Sequence, residues 1–153
     1  MPICKYEEFL SLIKHKKRIL GIDHGSKKIG VAISDESQSL ATPLTTIFKK
    51  NKDHDFKMLL DIIKNYSVLG VICGWPLNMN GTKGPRCQSV YVFIKNFLSF
   101  YDIPILFKDE RMSTQAVEKI FINNDVSRKK RYKNLDKHAA CWILQSALDS
   151  FKK

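Results

Sequence analysis

Two short apolar runs, residues 19–22 and 29–33, lie on either side of the polar stretch Asp23-His-Gly-Ser-Lys-Lys28. Apolar, turn, apolar at this spacing predicts two antiparallel strands joined by a loop longer than two residues. Neither run alternates with polar residues, as a strand with one wet face would, so both strands are expected to be covered on both faces. The first run is closed by Asp23. A carboxylate at the end of a buried strand is costly unless a cation or hydrogen-bond donors meet it. Asp also favours turns, so the position admits a structural reading beside a functional one.

The rest of the chain supplies the covering layers. Tyr6, Phe9, Leu10 and Ile13 recur at helical spacing, predicting a short helix in an N-terminal extension, residues 1–17, ahead of one domain, 18–153. Residues 41–48 read as a third strand, with Pro43 confining that end to an edge or a strand start. Asp53 is a candidate cap for a helix whose face is Phe56, Leu59, Leu60, Ile63 and Tyr66. A buried strand over 68–73 ends at Gly74-Trp-Pro76, and residues 78–85 are loop. Val90, Phe93, Ile94, Phe97, Leu98 and Tyr101 mark the next helix, and 103–107 a fifth strand that ends in Lys108-Asp-Glu-Arg111. Ser113 is a candidate cap for a further helix, expected to carry Ala116, Val117, Ile120 and Phe121 on one side and to end at Asn123-Asn-Asp125. The basic run 127–133 has no apolar partner, and a last helix follows Asp136, with Ala140, Ile143, Leu144, Ala147, Leu148 and Phe151 on one side. Adjacent strands joined by short turns are antiparallel, and strands reached across a helix are parallel. The expectation is an α/β domain with a mixed five-stranded sheet, an antiparallel three-strand meander plus two parallel strands, and helices on both faces.

Twenty-six Lys and Arg against fifteen Asp and Glu give a net charge of +11 and a pI near 9.6. An excess of that size favours a polyanionic partner, nucleic acid first, although basic composition or solubility alone could account for it. Cys4, Cys73, Cys87 and Cys141 are scattered without metal or redox spacing, and Cys73 and Cys141 read as small core residues. No apolar run approaches the ~18 residues that span a bilayer, and the first residues lack a secretory core. A reducing cytoplasm, with no membrane partner, is the expected setting.

Acidic residues stand at three element ends: Asp23, Asp109-Glu110 and Asp136. In the predicted topology strands one, four and five are parallel, so their C-terminal ends share one rim, where open α/β sheets place ligands. Carboxylates that converge there stay ionised only around a cation, and an all-oxygen set suits Mg²⁺ or Mn²⁺. Such ions can clamp the attacking water and the leaving oxygen of a phosphodiester. Asp109 and Glu110 point to opposite faces of a continuing strand, so only one can take part. Asp136 can equally be a helix N-cap. The basic residues Lys27, Lys28, Arg111, Arg128, Lys129, Lys130 and Arg131 are candidate phosphate contacts, the last four alternatively a solvated loop. His24, His138, Tyr91 and Trp142 read as turn, surface or packing residues.

Four motifs share one further property. Gly21-Ile-Asp-His-Gly-Ser-Lys-Lys-Ile-Gly-Val-Ala-Ile-Ser34, Gly74-Trp-Pro-Leu-Asn-Met-Asn-Gly81, Asp109-Glu-Arg-Met-Ser-Thr114 and Asp136-Lys-His-Ala-Ala140 resemble, in order, the signatures of the YqgF/RuvX family of RNase H-like nucleases. The resemblance runs from about Arg18 to the C-terminus. It implies a ribonuclease H-like fold and a metal-dependent nuclease that matures the 5′ end of pre-16S ribosomal RNA, a family earlier labelled Holliday junction resolvases. It puts Asp23, Glu110 and Asp136 at the catalytic, metal-holding acids. Trp75 replaces a smaller apolar residue, Asn80 an Asp, and Lys28 an Arg. Strand four ends in Gly74-Trp-Pro76, without the acid many RNase H-like nucleases carry there, so the second acid comes from strand five. Structured RNA and branched DNA both stay open as substrates. A nucleic-acid-binding module without turnover is an alternative, whereas a sugar-kinase or actin-like ATPase needs a second domain for which 153 residues leave no room.

Overall fold

The computed structural model describes residues 3–14, 16–76, 83–109 and 128–151, with side chains for all of these except 128–137. The elements are α1 (Tyr6–Leu12), β1 (Ile19–His24), β2 (Lys28–Ser34), β3 (Ala41–Phe48), α2 (Lys52–Asn65), β4 (Gly70–Trp75), α3 (Pro85–Phe100), β5 (Ile105–Asp109) and α4 (Arg128–Phe151). One sheet holds all five strands in the order β3-β2-β1-β4-β5. β1 and β3 flank β2 antiparallel, whereas β1 to β4 and β4 to β5 are parallel, the mixed sheet that the sequence predicts. Pro43 sits on an edge strand at a bulge, where Val31 pairs with Thr45 but Ala32 already pairs with Pro43. A residue without an N–H to give is tolerated there.

β1 is covered on both sides because its alternate residues feed two cores. Leu20 and Ile22 join Val71, Cys73 and Ile105 beneath Phe56, Leu59 and Ile63 of α2 and Val90, Ile94 and Phe97 of α3. Ile19 joins Ile72 and Leu106 beneath Phe9 of α1 and Ala140, Ile143, Leu144, Ala147 and Leu148 of α4. Between them stands Gly21, where an added Cβ would lie 2.7 Å from Leu144 Cβ and 3.1 Å from the Ala140 carbonyl oxygen. The missing side chain is what lets the α4 backbone rest against the strand. The N-terminal segment is tied to the same core: Phe9 and Ile13 are buried, the Cys4 amide donates to the Ile105 carbonyl at 2.8 Å, and the Tyr6 hydroxyl donates to the Ser150 carbonyl at 2.8 Å.

Several local expectations are corrected. Asn51, not Asp53, caps α2; its side chain accepts from the His54 amide at 2.9 Å. β4 and β5 each start two residues later than their apolar runs, because Val68 and Ile103 are buried on the approach while the ladder begins where Ile19 meets Gly70 and Val71 meets Ile105. β4 continues through Gly74 and ends at Trp75, before Pro76, as expected. The largest correction concerns the basic run: residues 128–133 begin α4, so Asp136 lies within that helix and not ahead of it. Lys and Arg are good helix formers, and a helix anchored by its apolar C-terminal half propagates through a polar N-terminal half. Tyr91 and Trp142 are on helices but exposed, and Cys141 is half-buried rather than core. The helix expected over 113–121 and most of the loop 78–85 lie outside the described residues. Among the described residues no helix is long and apolar enough to cross a membrane.

Candidate active site

Because β1, β4 and β5 are parallel, His24, Trp75 and Asp109 end on one rim. Lys28 at the start of β2 pairs with Phe48 at the end of β3 on the same rim. Asp23, half-buried, is the penultimate residue of β1 and pairs with Gly30. Strand alternation gives it the face of Ile19 and Gly21, the α4 side. Ile22 pairs with Cys73, so the next rung sets Gly74 beside Asp23, and Gly74 pairs with Lys108. β4 thus brings a residue without a side chain next to the carboxylate.

Trp75 and Asp109 are register partners on the opposite face, where the Trp75 ring lies 4.5 Å from that of Phe107. Glu110 and Arg111 lie outside the described residues. The direction of α4 follows from its contacts. Phe151 packs its ring 6.1 Å from Phe9, which crowds Gly70 at the start of β4, while the Ala140 carbonyl meets Gly21 farther along β1. The N-terminal half of α4 therefore approaches the rim that holds Asp23, and residue 136 is one turn beyond Ala140 in that direction. Arg128, Lys129, Lys130 and Arg131 form the first turn of α4, their side chains outside the described residues. Among the described residues no three His, Cys, Asp or Glu side chains are grouped to hold a metal; of Asp23, Glu110 and Asp136 only Asp23 has a described side chain.

Lys27 and Lys28 part company. Lys28 sets its Nζ 5.7 Å over the Phe48 ring, whereas Lys27 lines a cleft on the α2/α3 side together with His24, Lys49, Lys50, Lys52 and Asn96. His24 is only 5% exposed and its ring packs 4.4 Å from Phe93. Burial first, then the charges of Lys49 and Arg86, push its pKa down to about 4. The neutral ring accepts a hydrogen bond from Lys49 Nζ at 2.9 Å through Nε2. Asp55, also buried, accepts from the Lys50 amide at 3.0 Å and pairs with His54 Nδ1 at 2.9 Å. This polar cluster goes beyond the packing role expected of His24. Its sequence signal was the string Lys49-Lys-Asn-Lys52 at the end of a strand on the same rim as Asp23.

A family model described as "RuvX: Holliday junction resolvase" matches residues 17–150. The chain belongs to the RuvX family. A relative from Paramagnetospirillum magneticum, named "Putative pre-16S rRNA nuclease", is 43% identical over 150 residues, covering 98% of this chain and 97% of its own. Another of that name from Rhodopseudomonas palustris is 48% identical over 131 residues, 86% of this chain and 82% of its own. Among solved structures, RuvC of T. thermophilus in complex with a Holliday junction substrate superposes with a TM-score of 0.55 at 12% identity, covering 88% of this chain and 93% of that one. The Fowlpox virus resolvase with Holliday junction DNA gives 0.54 at 19%, covering 89% and 99%. At these identities the likeness is one of fold, and the fold is the ribonuclease H-like one that the RuvX motifs imply.

Proposed function

We propose that this protein is a nuclease of the cytoplasm that hydrolyses phosphodiester bonds in the 5′-end processing of pre-16S rRNA, with Asp23, Glu110 and Asp136 as its acids. The observation that carries this reading is a half-buried carboxylate at the rim toward which the N-terminal half of α4 points. Alternation along β5 supports Glu110 rather than Asp109 as a partner: Leu106 belongs to the α4-side core and Phe107 packs on Trp75 across the sheet, so even-numbered positions share the face of Asp23. The stripe Ala140, Leu144, Leu148 extended one turn back reaches residue 136, which supports Asp136 as the third.

Three carboxylates form a hard, all-oxygen donor set, which fits Mg²⁺ or Mn²⁺ and not a thiolate or imidazole metal. Held by Asp23, Glu110 and Asp136, such an ion would supply Lewis-acid activation of water and offset the charge that builds on the phosphate. The chain's own contribution is position. Asp23 lies in a strand buried on both faces, so the backbone that carries its carboxylate is in place before substrate arrives. Lys27, Lys28 and Arg111, with Arg128, Lys129, Lys130 and Arg131 on the first turn of α4, hold the phosphate backbone across the rim. The nuclease domain is residues 18–153, and the N-terminal extension, 1–17, contributes α1, which packs on it through Phe9.

Near-full-length relatives named for pre-16S rRNA outweigh a likeness of fold in naming the substrate. The family description keeps branched DNA as a second reading. Digestion of a precursor rRNA and a synthetic four-way junction side by side, with and without Mg²⁺, decides between them. Mg²⁺-dependent trimming of the RNA is expected; cleavage of the junction alone replaces the substrate, and cleavage of neither removes the enzyme.

A further inference from the structure

The cleft on the α2/α3 side of the rim has an unbalanced charge. It encloses about 640 Å³, and Lys27, Lys49, Lys50 and Lys52 line it against a single carboxylate, Asp55. That carboxylate is already engaged by the Lys50 amide and by His54. Among the described residues none of the four ammonium groups has an ion pair. Like charges gathered in a concavity repel unless an anion joins them.

Lys49 is also held in place, unlike an ordinary surface lysine. Its amide donates to the Lys27 carbonyl at 2.9 Å, its Nζ donates to buried His24 at 2.9 Å, and the same Nζ lies 5.5 Å over the Phe93 ring. Ordering a lysine costs up to about 2 kcal/mol of rotamer freedom, so a lysine fixed this way is a prepared donor. Ser89 and Asn96 add polar groups from α3, and Phe48, 63% exposed, presents an aromatic face at the same cleft. Ammonium groups beside an exposed aromatic side chain, one of them Lys28 over the Phe48 ring, match the two parts of a nucleotide, phosphate and base.

The location gives the site its role. Asp23 and His24 are consecutive on β1 and so face opposite sides of the sheet, with the β1–β2 turn and Lys27 between the two sides. We propose that this cleft is a second phosphate-binding site that grips the nucleic-acid backbone on the far side of the rim from the acids, with Lys49 as its fixed contact and His24 as the residue that positions Lys49. A strand bound at the acids would cross the turn and lay its neighbouring phosphates in the cleft. The choice of nucleic acid as the polyanion rests on the nuclease reading; the cation cluster does not.

The test is binding of a labelled single-stranded RNA, in EDTA so that nothing is cut, to the full chain and to Lys49→Met/Lys52→Met, across a salt series. The variant is expected to bind on the order of tenfold more weakly, with a slope of log K against log salt smaller by about 1.4, two single-strand phosphate contacts. His24→Phe keeps a ring against Phe93 but removes the acceptor for Lys49, and roughly a fivefold loss is expected, one hydrogen bond. The losses should be larger for a strand long enough to cross the turn than for a dinucleotide. Thermal melts of each variant exclude unfolding as the cause. Equal affinity and equal slope in the double variant overturn the cleft, and the nuclease reading then stands or falls on the separate digestion with Mg²⁺. Inorganic polyphosphate bound by the wild type and lost in the double variant, with no RNA bound by either, overturns the nucleic-acid assignment.

Discussion

The two faces of the sheet receive their helices differently. On the α4 side the approach is close: Gly21 has no side chain, Ala140 brings its carbonyl to within 3.1 Å of where a Cβ would be, and Ala147 is fully buried. On the α2/α3 side aromatic rings set the spacing, with Phe56 5.3 Å from Phe93 and 5.4 Å from Phe97, and the layer opens at the rim into a lysine-lined cleft. A close, small-residue contact fixes a helix backbone relative to a strand, which is what an ion shared between Asp23 and a residue on α4 demands. An aromatic contact leaves room between layers, which suits a groove for a chain that passes through. The sharpest test of this division is Asp23→Asn. Single-turnover cleavage of precursor rRNA is expected to fall by about 10³-fold or more, equal to about 4 kcal/mol of transition-state stabilisation, with the melting temperature nearly unchanged. Wild-type cleavage by this variant would detach the α4 side from catalysis.

Two core substitutions should then separate stability from activity in opposite senses. Phe56→Ala empties the centre of the aromatic layer and is expected to cost about 3–5 kcal/mol in urea unfolding. At saturating RNA, cleavage per folded molecule should change little, because Phe56 belongs to the α2/α3-side core and the cleft, whereas Asp23 alternates to the face of Ile19 on the other side of the sheet. Gly21→Ala forces a methyl group to within 2.7 Å of Leu144 Cβ, and overpacking of that kind costs about 1–3 kcal/mol. Here cleavage per folded molecule should drop more than stability, since α4 must move away from the strand that carries Asp23. Adding Leu144→Ala should return little of either, because the crowding atoms are the Leu144 Cβ, which alanine keeps, and the Ala140 carbonyl. Equal loss of activity per unit of stability in Phe56→Ala and Gly21→Ala would erase the distinction between the faces.

Much of this was legible in the chain because it depends on local pattern. Unbroken apolar runs showed that β1 and β2 are covered on both sides, the bounds of β3 match the stretch 41–48 read as a strand, and the β1 rim was visible from where Asp23 ends its run. The start of α4 was not legible, because residues 128–133 carry no apolar face and helix continuity there comes from the anchored half. The cleft was hidden for a different reason. It joins Lys27 from a turn, Lys49 to Lys52 after β3, and Asn96 from α3, residues that only tertiary packing brings together. His24 followed Asp23 in the sequence and drew the same turn reading, yet alternation sends the two to opposite cores. The close approach at Gly21 had a signal, a glycine inside an apolar strand, whose partner on α4 no spacing rule could name.

The smallest expected effect sharpens the aromatic side alone. His24 has a folded pKa of about 4, below the ordinary 6.5, because burial and then Lys49 and Arg86 disfavour its charged form while Asp55 opposes them. Above pH 6.5 the ring is neutral folded and unfolded, and it adds no pH dependence. As pH falls from 6.5 toward 4 the unfolded chain takes up a proton that the native ring refuses, so stability is lost, by up to about 1.4 kcal/mol per pH unit. Below about 4 both states are protonated and this contribution levels off. Urea midpoints in EDTA at pH 7, 6, 5 and 4 should fall more steeply for the wild type than for His24→Gln, whose curve lacks this component and reports the remaining carboxylates and histidines. Parallel curves would mean that the ring takes up its proton while still folded, in which case Lys49 is not held by a neutral acceptor and the aromatic layer is wetter at the rim than its packing implies.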